Sequence, residues 1–348
     1  MSGRVWLLPS RPDPEAAAIA ALLRKPRIPD GSGGDVAESW DAATVQSIRH
    51  SGGSIYAIER EDWPAWAAGP ETDCAAAVVR IDHHAPGDPG YGRPPDEFLP
   101  ASSIGQVVSD LARSTTVAAG WEPHGYAPDE YAPELAYPSP GEIRLIDPGW
   151  AVHSPAIGWR LVPREIVMVA AADHCLGAAY RGECPGVDPE ALMRWRVASR
   201  AAHQGRSVDA VLADIAAARV RLRAAPHIPL QSPSTGPIAG ICDGYCGEGP
   251  HEHPDAAFFV ADLRGAEIPE LPEAACREGI AFLATPRPTE RDPRRKVVLQ
   301  CATAEQLAAW PTWAAANGIT DLYGGDPMRG FAGGYLPTVA ASGAEAEP

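Results

Sequence analysis

The chain lacks any apolar run approaching the ~18 residues needed to cross a bilayer, so no membrane-spanning helix is expected. Basic residues are scarce: 29 Lys and Arg stand against 45 Asp and Glu, for a net charge of -16. A phosphate backbone is gripped through many cationic contacts, so this balance excludes duplex DNA or any long polyanion held along its length. No secretory leader is read, because Met1-Ser2-Gly3-Arg4 precedes only the short run Val5-Trp6-Leu7-Leu8, which reads as a first strand. The seven cysteines (Cys74, Cys175, Cys184, Cys242, Cys246, Cys276 and Cys301) are an odd number without such a leader, and reduced thiols in a cytoplasmic protein are expected.

What is present suits two domains. A chain of 348 residues with 45% hydrophobic content can bury two cores, and its 37 prolines and 34 glycines are interleaved with apolar residues as in ordered loops. Strands are expected at 4–8, 54–58, 75–81, 142–146 and 165–172, and helices at 16–23, about 37–50, 102–113, 188–203 and 207–224. The last of these would close a first domain, 1–224. Prolines 226, 229, 233 and 237 then mark 225–237 as a semi-rigid linker. A second domain, 238–340, carries strand signals at 256–261, 279–284 and 296–299 and a helix signal at 303–317, ahead of an acidic tail, 341–348. Residues 114–141, rich in Pro, Tyr and Gly, read as an insertion forming a lid or packing flap.

The densest concentration of chemistry follows the third strand signal. Ala75-Ala76-Ala77-Val78-Val79-Arg80-Ile81 runs into Asp82-His83-His84, and then into a Gly/Pro loop. Open α/β sheets gather ligands at the carboxyl ends of their strands, and Asp oxygen with His nitrogen suits Mn, Fe or Zn. Ala101 to Val108 reads as the next helix start, capped by Ser102 or Ser103.

Asp82-His83-His84, with its strand, loop and following helix, resembles the signature of the DHH phosphoesterases. That resemblance implies an α/β fold, a mainly parallel sheet flanked by helices, with a second, smaller α/β domain and an active site in the cleft between the two. The family closes its first strand with His-x-Asp-x-Asp; here the same spacing reads Arg11-x-Asp13-x-Glu15. Arg cannot coordinate a cation, so the site that used His should lose affinity, and the guanidinium could hold a substrate phosphate instead. Asp13 and Glu15 also read as early-helix acids favoured by the helix dipole.

Glu59 occupies the place of the family's metal-bridging Asp, with Glu61 and Asp62 as close competitors. Asp173, after the apolar run 165–172, resembles the fourth-motif Asp, with Asp147 as the alternative. The implied metal residues are thus Asp13, Glu15, Glu59, Asp82, His83 and Asp173, of which Glu15, Glu59, His83 and Asp173 hold the better preserved ion. One or two Mn2+ ions are expected, with Mg2+ or another divalent cation as a substitute. Asp82 would orient the motif, His84 would contact the substrate phosphate or protonate the leaving group, and Arg11 would stabilise the developing charge. Tyr323 to Tyr335 resembles the family's glycine-rich substrate loop, implying Arg329, Gly330, Gly333, Gly334 and Tyr335 as substrate contacts, although a tight turn between strands fits the same residues.

The resemblance implies a metal-dependent phosphohydrolase or phosphodiesterase, a hydrolase acting on phosphoric ester bonds. Its substrate would be a nucleotide, a cyclic dinucleotide or a short single-stranded oligonucleotide. A homo-oligomer is compatible with it. The rival is a module that keeps the fold with degraded metal sites and binds a nucleotide or a protein. Cys242, Cys246, His251 and His253 form a further set with zinc-ligating potential, weighed against a glycine-rich loop with ordinary thiols.

Overall fold

The computed structural model describes residues 4–8, 14–24, 35–37, 54–59, 77–113, 139–146, 149–155, 158–230, 258–288 and 294–337. The chain divides into two compact units, Met1–Ser199 and Arg200–Pro348. No helix among the described residues is long and apolar enough to cross a membrane.

The first unit is built on a four-stranded, wholly parallel sheet. Its strands β1 (Arg4–Leu7), β2 (Asp35–Ala37), β3 (Ser54–Ile58) and β4 (Ala77–Ile81) lie in the order β2-β1-β3-β4. Ile55, Tyr56, Ala57 and Ile58 are buried in succession, the unbroken pattern of a parallel strand covered on both faces. Trp6 of β1 pairs in register with Tyr56 of β3, and their rings stack with centroids 4.1 Å apart. β2 lies on one side of β1 and β3 on the other, so strand order reverses between β1 and β3. Such a reversal opens a crevice at the carboxyl ends of the strands.

Helices α1 (Pro14–Arg24), α2 (Phe98–Ala101), α3 (Ser103–Arg113) and α4 (Arg164–His174) supply much of the remaining core. α1 packs against both α3 and α4, and Ile19, Leu23, Phe98, Leu99, Ile104 and Val107 are buried among them. Ser102 is the residue that caps α3: its Oγ accepts from the Gly105 amide at 3.1 Å and donates to the Leu99 carbonyl at 3.0 Å. Gly105 is required by contact, since a Cβ there would lie 1.6 Å from the Leu99 oxygen.

The run 165–172 is helical, which corrects the expectation of a strand. Val167 through Ala172 are all buried, and an apolar run of this kind fits a helix buried on every side as well as it fits a parallel strand. Pro163 just ahead and three successive alanines at its end favour the helix. A second sheet in this unit is antiparallel: β5 (Ile143–Ile146), β6 (Gly149–Ser154) and β7 (Gly158–Leu161) pair in that order. Two helices follow, α5 (Leu176–Tyr180) and α6 (Pro189–Gln204), the division between units falling within α6.

In the second unit α7 (Val208–Ala224) is capped by Ser207, whose Oγ accepts from the Ala210 amide. Its buried stripe is Val211, Ile215, Ala218 and Leu222, while Val208, Leu212 and Val220 are exposed. The six-stranded sheet joins β8 (His227–Pro229), β9 (Phe259–Asp262), β10 (Phe282–Ala284), β11 (Lys296–Gln300), β12 (Thr320–Asp326) and β13 (Phe331–Tyr335) in the order β12-β13-β11-β10-β9-β8. Only β9 and β10 run parallel; the other four pairs are antiparallel. The described residues are therefore mixed α/β, and among them the wholly parallel sheet is the four-stranded one of the first unit. Residues 227–230 belong to the second unit's sheet and core rather than to a linker: β8 pairs with β9, and Leu230 is fully buried.

Helix α8 (Leu271–Glu278) packs on α7, and α9 (Ala304–Ala316) opens with a capping box between Thr303 and Gln306. Residue 37 ends a strand where a helix start was expected. The rest of 38–50, the insertion from 114 to 138 and the tail lie outside the described residues.

Candidate metal centre

Four segments meet at one point. Glu15 stands in the first turn of α1, Glu59 directly after β3, His83 two residues beyond β4, and Asp173 in the last turn of α4. One oxygen or nitrogen from each of the four lies within 4.8 Å of those from the others. Glu59 holds a left-handed backbone conformation, φ 47°, and its amide donates to the Ile81 carbonyl at 3.0 Å. That conformation costs a non-glycine residue on the order of 1–2 kcal/mol, and it turns the chain at the carboxyl edge of the sheet.

The Asp82-His83-His84 turn is organised by Asp82. Its Oδ1 accepts from the amides of His83 at 2.7 Å and His84 at 3.1 Å, and lies 2.7 Å from His84 Nδ1. Burial alone would push this carboxyl up, but the hydrogen bonds from the His84 ring and the two amides outweigh it, and Asp82 titrates below its ordinary range. The same contact sets His84 with Nδ1–H toward the carboxylate, while the ring remains 46% exposed. Gly90 closes the following loop over His83: a Cβ there would sit 1.9 Å from the Ala101 oxygen and 2.7 Å from His83 Cβ.

With both rings neutral, the tautomer of His83 follows from its neighbours. The Arg93 carbonyl can only accept, so His174 Nε2, 3.1 Å away, carries a hydrogen. In neutral His174, Nδ1 is then an acceptor, and His83 Nδ1 at 3.4 Å is its donor. This leaves the lone pair of His83 on Nε2, 2.8 Å from Asp173 Oδ2 and 3.9 Å from Glu59 Oε1. A lone pair and two carboxylates share so small a space through a common proton or a common cation.

Glu15 supplies independent testimony. Its Oε1 accepts from the Ile104 amide at 2.8 Å, adding a second satisfied donor to the start of α3. Its Oε2 is buried with no donor among the described residues, facing the carboxylates of Asp173 and Glu59. A hydrogen bond between those groups exists only when a proton is shared. Burial first, and then the charges of Asp173 and Glu59, push the Glu15 carboxyl well above its usual range. Three carboxylates and one imidazole form a donor set suited to a borderline-hard divalent cation. A cation would replace the shared proton.

Glu15, Glu59, His83 and Asp173 are thus brought together, with Glu59, His83 and His84 forming an overlapping group. Asp82 belongs to neither group; its oxygens face its own loop and Arg80. Arg11, Asp13, Glu61, Asp62, Asp147 and the set Cys242, Cys246, His251 and His253 lie outside the described residues.

In the second unit, Tyr323 to Tyr335 forms a hairpin. The space at Gly333 is filled by the Tyr323 ring and that at Gly334 by Ile319 and Leu322. Arg329 Nη1 is buried without a hydrogen-bond partner among the described residues, and the Tyr335 ring carries Arg294 at 3.6 Å and Lys296 at 5.5 Å. Two positioning residues escaped the sequence reading. His174 fixes the His83 tautomer, and Gln106 Nε2 donates to the Asp82 and Ala101 carbonyls at 3.0 and 2.8 Å. Adjacency to Asp173 was the only signal for His174. Comparison with protein-family models, curated proteins and solved structures returned no match.

Proposed function

We propose that the chain is a divalent-metal-dependent phosphohydrolase of the DHH phosphoesterase type, acting on a small phosphorylated substrate such as a nucleotide, a cyclic dinucleotide or a short oligonucleotide. The observation that carries this reading is the convergence of Glu15, Glu59, His83 and Asp173, from four separate segments, at the switch point of a parallel sheet. Mn2+ is the cation we favour, on the resemblance and the mixed oxygen and nitrogen donors. Glu15, Glu59, His83 and Asp173 would hold such a cation, which would supply Lewis acidity for phosphoryl transfer and for activating a water at neutral pH.

The chain's own residues do the rest. His174 keeps the His83 lone pair directed at the cluster through the ring contact at 3.4 Å. Asp82 orients His84, whose exposed ring borders the same group and is placed to give a proton to a leaving oxygen. The acidic net charge of -16 favours a substrate with few phosphates, whose charge is offset at the metal site rather than by a basic surface.

The test is to titrate the chelator-treated full chain with Mn2+ by calorimetry and to assay hydrolysis of bis(p-nitrophenyl) phosphate. Stoichiometric binding and Mn2+-dependent hydrolysis, both lost in His83→Ala, are expected. Absence of both Mn2+ binding and hydrolysis would overturn the reading and leave the module with degraded metal sites in its place, while binding without hydrolysis of this or a dinucleotide substrate would overturn the hydrolase activity.

A further inference from the structure

The four described cysteines stand in two pairs with sulfur–sulfur distances of 2.9 Å (Cys175 and Cys184) and 2.7 Å (Cys276 and Cys301), all as thiols. The pairs differ in access. Cys175, Cys184 and Cys276 are buried, whereas Cys301 is part-exposed, so only the second pair offers solvent a thiol at which exchange can begin. A thiol out of reach of solvent is shielded from oxidants; a part-exposed one is not.

Apolar packing that involves no sulfur bond sets this second pair in place. Leu271 and Ala275 of α8 pack with Phe282 and Leu222 in one cluster, against which Cys301 rests. Cys276 is in the last turn of α8, and Cys301 immediately follows β11. Cys301 adopts a left-handed conformation, φ 55°, uncommon for a residue with a Cβ. The next residue, Ala302, donates its amide to the Gly330 carbonyl at 2.9 Å, and a Cβ on Gly330 would meet the Ala302 oxygen at 2.9 Å. The backbone after Cys301 therefore lies directly under the turn that carries Arg329.

We propose that Cys276 and Cys301 are a redox modification site that closes to a reversible intramolecular disulfide and braces the Asp326–Phe331 turn. The oxidant is a low-molecular-weight disulfide such as oxidised glutathione. One thiolate attacks a glutathione sulfur and expels the first reduced glutathione. The second thiol gives up its proton to solvent and displaces the other, so that two thiols and one disulfide become one protein disulfide and two glutathione thiols. The sulfurs need close only from 2.7 Å to a bond of about 2.05 Å.

The experiment equilibrates the full chain in glutathione buffers from reducing to oxidising, quenches in acid, alkylates after denaturation and maps peptides by mass. A Cys276–Cys301 linked peptide, lighter by two hydrogens than its thiol parts and reopened by dithiothreitol, is expected in the oxidising buffers. Cys175 and Cys184 should remain alkylated throughout. The same mapping on a variant with Cys74, Cys242 and Cys246 changed to Ser must give the same linked peptide.

Full alkylation of Cys276 and Cys301 in the most oxidising buffer, or their recovery only as glutathione adducts or joined to other cysteines, would overturn the proposal. Hydrogen exchange of the Met328, Arg329 and Gly330 amides should slow at least several-fold on oxidation. Unchanged exchange would overturn the bracing. Neither readout depends on metal binding or hydrolysis, so the outcome is separable from that of the proposed activity.

Discussion

Glu15→Gln should stabilise the metal-free protein and abolish its stabilisation by Mn2+. Glu15 is buried against Asp173 and Glu59, and its carboxyl is held well above the usual range by burial and by those two charges. An acid whose folded-state pKa is raised adds no penalty while both states are protonated. The penalty appears as pH rises past the unfolded value and grows until the folded group ionises. Metal-free wild type should therefore lose stability as pH rises from the ordinary Glu range upward, and the glutamine variant should lose that slope. Glutamine can keep the oxygen that accepts from the Ile104 amide, and its new N–H groups can donate to the neighbouring carboxylates.

A ligand that binds only the folded state at 100 times its dissociation constant stabilises by about 2.7 kcal/mol. For a unit the size of Met1–Ser199, that is a rise in Tm of roughly 5–11 °C. If the variant binds about 100-fold more weakly, the same Mn2+ concentration contributes only about 0.4 kcal/mol, or roughly 1 °C. Differential scanning calorimetry of both proteins with chelator and with Mn2+, at several pH values, reads all of this. A variant that melts lower than wild type in chelator, or gains as much as wild type from Mn2+, would refute the reasoning.

Other consequences follow from the same geometry. His174→Ala removes the group that directs the His83 lone pair and should weaken Mn2+ binding by roughly 10- to 100-fold while the circular dichroism of the fold persists; calorimetric titration measures it. Asp82→Asn should flatten the acid limb of stability: a carboxyl with a lowered folded pKa contributes above its unfolded value and loses that contribution as pH falls through the folded one. Urea melts between neutral and strongly acidic pH would show it. Ser102→Ala leaves the Gly105 amide and Leu99 carbonyl without their hydroxyl and should cost about 0.5–2 kcal/mol, seen as a lower urea midpoint at unchanged slope. Gly90→Ala forces a methyl against the Ala101 carbonyl and His83 Cβ and should cost about 1–3 kcal/mol, with weakened Mn2+ binding because His83 is displaced.

What could be read from the sequence divides along the reach of local signals. Unbroken apolar runs ended by polar groups placed β1, β3 and β4 and put Glu59 and His83 at strand ends, because a buried parallel strand and its exit loop are written within a few residues. Ser102 was legible as one of two caps, since capping needs only the hydroxyl and the amide three residues on. The helix carrying Asp173 was read as a strand, because Ile166 to Ala172 is apolar on every side and periodicity cannot separate a buried helix from a buried strand. The residue at its end nevertheless arrives at the cluster.

Glu15, Glu59, His83 and Asp173 were named together through the resemblance and not through any local pattern, and the His174 buttress depends on contacts 81 and 91 residues apart in sequence, which leave none. Likewise, 225–237 was taken for a linker because its prolines signal a stiff connection, and 227–229 within it is a strand. An edge strand tolerates proline for a different reason, that one side of it needs no donor.

The most direct measurement is anomalous diffraction at the manganese edge from crystals of the full chain soaked in Mn2+. A peak is expected within coordination distance of Glu15, Glu59, His83 Nε2 and Asp173, with Asp82 contributing no ligand. A map with no peak among these four, or with manganese bound only elsewhere, would contradict it.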